Sequence, residues 1–252
     1  MYRFFVEEGQ LNQREIMLSA QDYNHIHNVL RMKVGDEVLL CDGGDKEYLC
    51  EITGFDTELQ RVLLVVTDVF GNARELSAKI TLFQGYPKGD KMETIIQKAV
   101  ELGAHSVVPV MMKRCVVKLD DKKSQKKVER LQAIALSAAK QAKRGIIPEV
   151  LGLMSINEAI EYAKDFDLVI VPYENANGMQ YAKEVLQSAN EFERIAVFIG
   201  PEGGFEATEV AMLESIGGKT ISLGHRILRT ETAGMTVLSL LMFQLEQDEQ
   251  GE

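Results

Sequence analysis

Residues 194–241 read RIAVFIGPEGGFEATEVAMLESIGGKTISLGHRILRTETAGMTVLSLL. Two short apolar strands stand out in this stretch. Each ends in a polar, glycine-bearing loop, and each loop leads into a helix. The first loop is Gly200-Pro201-Glu202-Gly203-Gly204-Phe205; the second runs from Leu223 to Ala233. In open α/β sheets ligands bind beyond the carboxyl ends of the strands, where such loops lie. Glycine lets main chain approach a ligand closely, and a helix start adds unpaired N–H donors. A Gly-Pro or Gly-Gly run after a strand can equally be a plain turn. The first loop carries neither G-x-x-x-x-G-K-[ST] nor G-x-G-x-x-G, so neither a P-loop nor a dinucleotide fingerprint is present there. Two such loops so close together point to a ligand site.

Upstream the same alternation continues. Lys79–Gln84 and Ser106–Met111 read as strands. Between them Asp90-Lys91-Met92-Glu93 resembles a capping box, followed by the apolar stripe Met92, Ile95, Ile96, Ala99 and Leu102, with Gly103 as the stop. A long helix is predicted over Ser124–Lys143, with Val128, Leu131, Ala135, Ala138 and Ala142 inward. A short strand follows at Pro148–Leu151, a helix opening at Ser155, a strand at Asp167–Val171 and a helix at Met179–Ser188. Strands alternating with helices imply a mostly parallel sheet covered on both faces.

Residues 1–70 differ. Arg3–Glu7, Glu37–Cys41, Tyr48–Thr53 and Arg61–Val69 are short segments rich in strand formers, with a hairpin turn at Asp42–Asp45. One helix, Ser19–Arg31, presents Tyr23, Ile26, Val29 and Leu30 on a single face. This pattern predicts a small β-barrel. A polar stretch at residues 68–78 places the boundary, giving domains 1–72 and 73–252, the latter ending in an acidic, frayed tail from Glu246.

The net charge of −10 speaks superficially against nucleic acid, but its distribution does not. Lys113–Arg144 holds eleven Lys/Arg against three Asp/Glu, so the remainder of the chain carries −18. That span is either a contact for phosphates or a solvated helix face. No apolar run reaches the roughly 18 residues of a membrane helix. MYRFFVEEGQ lacks the form of a signal peptide, so a cytoplasmic location is expected. Cys41, Cys50 and Cys115 have no metal-ligand spacing and read as packing residues; no metal is expected.

FIGPEGGF followed by LGHRILRTETA resembles the SPOUT methyltransferases, and within them the RsmE family, which methylates N3 of a uridine in small-subunit (16S) ribosomal RNA. The likeness covers nearly the whole chain. KGDKMETIIQKAVELG (Lys88–Gly103) is similar to that family's K-x-x-K/R-M-E helix, and HIHNVLRMKVGDEVLLCDG (His25–Gly43) resembles the start of its PUA-like domain. Where the family has E-A-A-E-Q, this chain has Ser137-Ala138-Ala139-Lys140-Gln141, so no catalytic part is assigned there. His225 replaces a commoner proline, and Gly234-Met235 a commoner Ala/Pro-Leu.

The resemblance implies a knotted SPOUT-type parallel sheet with helices on both faces, preceded by a small PUA-like β-barrel. It also implies an S-adenosylmethionine pocket formed by a C-terminal trefoil knot, and a homodimer packed through that domain. Residue chemistry adds the details. Gly200, Gly203, Gly204 and Gly224 would give close main-chain approach to the cofactor. Ile199, Leu223, Ile227 and Leu228 would wall the adenine, unless each is ordinary core. Pro201, Thr230 and Ala233 complete the set, with Pro172 and Tyr173 in a third loop after Asp167–Val171. Arg229, and next Arg226, would stabilise charge on the uridine or else hold a phosphate. Glu202 and Glu231 are the candidate general bases; either could instead cap a helix or orient an arginine, the reading preferred for Glu231. Arg3, Arg31, Lys88, Lys113, Arg114 and Arg144 are the expected RNA contacts, with His25 and His27 weaker ones.

Overall fold

The computed structural model describes residues 1–6, 10–12, 16–43, 46–71, 75–117 and 121–246. Glu7, the Gly44-Asp45 half of the expected hairpin turn and the tail beyond Glu246 lie outside these. The chain forms two compact units. One is Met1–Glu75 together with Lys143–Ile147; the other is Leu76–Ala142 together with Pro148–Glu252.

The first unit contains β1 (Tyr2–Phe5), β2 (Ile16–Leu18), α1 (Ala20–Tyr23), β3 (Glu37–Cys41), β4 (Lys46–Asp56) and β5 (Arg61–Gly71). They build a five-stranded sheet in the order β1-β3-β4-β5-β2. β1 runs parallel to β3, and the other pairs are antiparallel. Side chains alternate across a strand; Val62 and Leu64 of β5 turn in while Arg61 and Val65 turn out. The inward residues meet Ile16, Leu18, Ile26, Val38, Leu40 and Ile52 in one core. β2, only three residues long, was too short to give a periodic signal.

Ser19 caps α1, accepting from the Asp22 N–H at 3.4 Å. The helix then widens into a π-helical turn over Asn24–Val29, and Arg31 follows at φ 55. The expected apolar face is realised only in part. Tyr23 and Ile26 are buried, but Val29 is 63% exposed, because the wider turn rotates later residues off the 3.6-residue stripe.

Lys143–Ile147 is bound into this unit by charge. The Arg144 guanidinium pairs with Glu75, whose Oε1 also accepts the Gly145 N–H at 3.0 Å. Arg3 forms a forked pair with Glu47 (2.7 and 2.8 Å) and donates to the Lys143 carbonyl at 2.8 Å. These two arginine side chains are 8% and 5% exposed. The expectation that Arg3 and Arg144 contact RNA is therefore corrected: each guanidinium is covered and serves an internal carboxylate.

The second unit contains β6 (Lys79–Gly85), α2 (Lys91–Glu101), β7 (Ser106–Met111), α3 (Asp121–Gln141), β8 (Glu149–Val150), β9 (Met154–Ser155), α4 (Ile156–Ala163), β10 (Leu168–Asn177), α5 (Met179–Gln187), β11 (Arg194–Ile199), α6 (Ala207–Ser215), β12 (Lys219–Ile221) and α7 (Thr230–Leu245). The strands make one sheet, β12-β10-β11-β6-β7-β8, with β9 also on β7. Every pairing is parallel, as the alternation predicts. β11 is slotted between β6 and β10, so the order reverses there. Phe83 faces a cluster with Ala159 and Ile160 of α4 and Val210 and Leu213 of α6. Ile80 and Leu82 point to the opposite face and are also fully buried. α4 packs against α6, whereas α2 packs against α3 and α7.

Two local expectations are adjusted. Ser155 does form a capping box with Glu158, but Asp90 makes no side-chain cap bond, and Glu93 instead pairs with Arg130 at 2.7 Å. β10 continues through Asn177, so Pro172 and Tyr173 belong to the strand and not to a loop after it. Pairing with β12 is irregular between Pro172 and Asn177.

Phe83 and Phe198 stack at 4.3 Å in the centre of the sheet, and Phe166 meets Phe83 edge-on. Phe83→Ala is expected to cost about 3–5 kcal/mol through lost burial and the cavity left behind. Urea unfolding of the whole chain would measure it, and a loss below ~1 kcal/mol would contradict this account of the core.

Candidate functional site

The site begins where β11 stops. Its last residue, Ile199, hands over to Gly200, and the main chain there lies against Gly85 at the end of β6. A Cβ on Gly85 would sit 2.5 Å from the Pro201 nitrogen, which explains the glycine. The loop then closes on itself, with the Gly204 N–H donating to the Pro201 carbonyl at 2.9 Å and Gly204 at φ 69. Phe205 is buried and anchors the far end.

The turn after β7 clamps this loop from outside. Arg114 donates through Nε to Glu206 at 2.7 Å and through Nη1 to the Gly203 carbonyl at 2.9 Å. Glu209, itself buried, accepts the Lys113 and Glu206 N–H groups, each at 2.8 Å. Hydrogen bonding to Arg114, then its charge, holds the Glu206 carboxyl below the usual glutamate value. Arg114 was expected at RNA. Its guanidinium holds the glycine loop in place with 44% of the side chain exposed, and Lys113, 69% exposed, lies 3.7 Å from Glu206.

The second loop is fastened by Thr230. Its hydroxyl donates to the Gly200 carbonyl at 2.6 Å and accepts from Gln84 Nε2 at 2.8 Å. The start of α7 is thereby tied to the ends of β11 and β6. Gly224 adopts φ 106, a conformation that side chains disfavour, and its N–H reaches Ser222 Oγ at 3.2 Å.

Between the loops opens a cleft of about 970 Å³ at the carboxyl ends of β10, β11 and β12. Pro172, Tyr173, Ile199, Gly200, Pro201, Gly203, Gly204, Leu223, Gly224, Ile227, Leu228, Thr230 and Ala233 all line it, as do Glu202, Arg226 and Arg229. The size lies within the range of small-molecule pockets. Exposed main chain at the glycines can read the edge of a purine, and apolar side chains can cover its faces, so the residues fit S-adenosylmethionine. One expected wall is different: Ile227 lines the mouth and is 91% exposed. Sequence reasoning passed over Lys91, Glu174 and Met179, which also line the cleft. Lys91 lay within the recognised KGDKME run and could have been picked out there.

Charges at the mouth are unevenly matched. Arg226 and Arg229 are exposed, and among the described residues neither guanidinium has a hydrogen-bond or ion-pair partner. Arg229 occupies the N-cap position of α7. Glu202 is engaged, because its Oε1 accepts both the Lys88 N–H and Lys91 Nζ at 3.0 Å. Burial works to raise the Glu202 carboxyl, but main-chain N–H groups and the Lys91 ammonium outweigh it and hold it below the usual value. A carboxylate so stabilised is a weak proton acceptor, which argues against Glu202 as general base. Glu231 makes no hydrogen bond through Oε2, which lies 3.6 Å from Lys91 Nζ, so it is a partner of the lysine and not a helix cap. Lys88 and Arg31 remain exposed, as do His25 and His27, the latter stacked on Tyr23 at 5.1 Å. Burial pushes the Cys41 and Cys50 thiols up to about 11, fitting packing residues. No cluster of metal-ligating side chains occurs among the described residues.

A family model described as RNA methyltransferase domain matches residues 74–242, and one described as RNA methyltransferase PUA domain matches residues 18–57. Ribosomal RNA small subunit methyltransferase E of Bacillus subtilis is 37% identical over 252 residues, covering 98% of both chains. The chain belongs to the ribosomal RNA small subunit methyltransferase E family. The member from Mesomycoplasma hyopneumoniae is 31% identical, over 95% of this chain and 98% of its own. Among solved structures, the Neisseria gonorrhoeae member bound to S-adenosyl methionine superposes with a TM-score of 0.80 at 28% identity, covering 96% of this chain and 97% of that one. A Legionella pneumophila structure in complex with the same cofactor gives 0.77 at 31% identity, covering 96% of each. As a member of this family the protein is an RNA methyltransferase, and the PUA match falls on the first unit.

Gly85→Ala should push the Gly200-Pro201 main chain out of position while leaving the glycines of the cleft intact. S-adenosylmethionine affinity, followed by calorimetry, is expected to fall roughly tenfold or more. Unchanged affinity would show that this packing does not shape the cleft.

Proposed function

We propose that this protein transfers a methyl group from S-adenosylmethionine to N3 of a specific uridine in 16S ribosomal RNA, within the small ribosomal subunit and in the cytoplasm. The observation carrying this reading is the pair of exposed arginines, Arg226 and Arg229, without partners among the described residues, at the mouth of a glycine-walled cleft. The family membership and the cofactor seen in two similar structures support it. Among the described residues, no helix is long and apolar enough to cross a membrane.

The bound cofactor supplies an electrophilic methyl. Everything else falls to the chain and the RNA. Gly203, Gly204 and Leu228 hold the adenosine portion through main chain, with Leu223 and Ile199 covering it. The target base must leave its stack to enter the cleft, as in other enzymes that act on a base. As N3 loses its proton, negative charge spreads onto the two flanking carbonyl oxygens. A fixed cation stabilises that anion more than the neutral uridine, lowering the barrier. Arg229, at the start of α7, takes this role, and Arg226 holds the neighbouring phosphate. With the anion stabilised, solvent can accept the proton without a dedicated base. Lys88 and Arg31, both exposed, grip the RNA backbone, joined by the outward lysines of α3, Lys126, Lys127 and Lys140.

We further propose that the C-terminal segment threads a trefoil knot and that two copies associate through this domain. Leu240 and Phe243, 42% and 85% exposed on α7, supply an apolar surface for that contact. Phe243→Asp is expected to convert a dimer into a monomer in sedimentation experiments; a wild-type chain that sediments as a monomer would overturn the proposal.

The reaction is tested with labelled S-adenosylmethionine and small subunits from cells lacking this gene, followed by nucleoside mass analysis. Label in 3-methyluridine is expected. Label in another nucleoside would retain the fold and cofactor and refute the target atom. In the same assay Arg229→Ala should lower turnover roughly a hundredfold or more while sparing cofactor affinity. Full turnover would remove Arg229 from the reaction.

A further inference from the structure

Three elements converge on one ammonium at the cleft mouth. Lys91 opens α2, and its Nζ lies 3.0 Å from Glu202 Oε1 in the first loop and 3.6 Å from Glu231 Oε2 in the first turn of α7. The two carboxylates would repel each other without a cation between them. Glu231 Oε2 is buried and has no hydrogen-bond donor among the described residues, so the lysine charge is what compensates it. Hydrogen bonding to Glu202, with further help from both carboxylates' charge, holds the ammonium above the usual lysine value. Glu202 is the neighbour of Gly203, and Glu231 stands two residues after Arg229.

We infer that Lys91 is a positioning residue for methyl transfer: it ties Glu202 of the cofactor loop to Glu231 in the first turn of α7 and so orients the neighbouring Arg229 at the mouth of the cleft. The inference rests on the proposed role of Arg229. It also divides the work between two fastenings. The glycine loop is held independently by Arg114 on Gly203 and by Thr230 on Gly200. Loss of the Lys91 charge therefore leaves the cofactor contacts nearly intact. What it releases is the Glu231 side chain beside the N-cap arginine, while Thr230 still ties the helix start to Gly200.

Lys91 sits in the first turn of α2 with a third of its side chain exposed, and glutamine or arginine there retains much of its aliphatic stem. The test uses the full chain, small subunits as substrate and three variants. Lys91→Gln keeps a donor but no charge, and kcat is expected to fall about tenfold or more with S-adenosylmethionine affinity changed by less than about threefold. Lys91→Arg, which can still span both carboxylates, should retain turnover within about threefold of wild type. Adding Glu231→Gln to Lys91→Gln removes the repulsion and should recover part of the lost kcat, a non-additive result that simple loss of stability would not produce. Melting temperature is recorded for every variant. The inference is overturned if Lys91→Gln turns over like wild type, if affinity falls as far as kcat, or if the double variant is no better than the single one. If wild type itself transfers no methyl to uridine N3, the functional reading fails, whereas wild-type activity with an indifferent Lys91→Gln sinks only the positioning role.

Discussion

The buried hydroxyl of Thr230 bonds at once to the Gly200 carbonyl and to the Gln84 amide. Each bond is worth only about 0.5–1.5 kcal/mol net, but a carbonyl or amide left unpaired in this position would cost about 1–3 kcal/mol. The contact matters because of where it lies. It joins residues 146 and 30 positions apart in the chain, bringing the C-terminal helix onto the ends of two central strands. It is the buried link that fixes the second loop relative to the first, with the Lys91 contacts to Glu202 and Glu231 as the partly exposed one.

Close packing of main chain makes this possible. Gly85 gives way to Gly200 and Pro201, while Gly200 in turn lies against Gly204. A side chain at either contact would push the loop off the sheet. Polar clamps then act from outside the cleft, Arg114 on the Gly203 carbonyl and Glu209 on the Lys113 and Glu206 N–H groups, and Lys91 holds Glu202 at its mouth. The glycine loop is thus held at several points along its length. Arg226 and Arg229 stand at the edge of the cleft, where an anionic substrate can meet them without first breaking an ion pair to any of the described residues.

Much of this was legible beforehand. The alternation of strands and helices from Lys79 onward required a parallel sheet, because strands buried on both faces need helices on both faces. The two glycine-bearing loops had to lie together once that sheet was accepted, since both follow its strands. The cleft accordingly contains every residue expected to touch the cofactor. Less was visible where local signals mislead. The apolar stripe of residues 19–31 assumed a regular helix, and a π-helical turn shifted Val29 to the surface. Asp90 had the spacing of a capping box, but its partner Glu93 is drawn to Arg130 on another helix.

By itself the sequence determined the order of elements, the position of the ligand loops and the family motif, all of which depend on residues near one another in the chain. Only the tertiary structure decided what each charged residue does. Arg3, Arg114 and Arg144 looked alike as cations available to RNA, yet their partners lie 44, 92 and 69 positions away. Lys143–Ile147 joins the first unit for the same reason, through Glu75. Charge interactions depend on distance in space and on burial, and neither is encoded at the position of the charge itself.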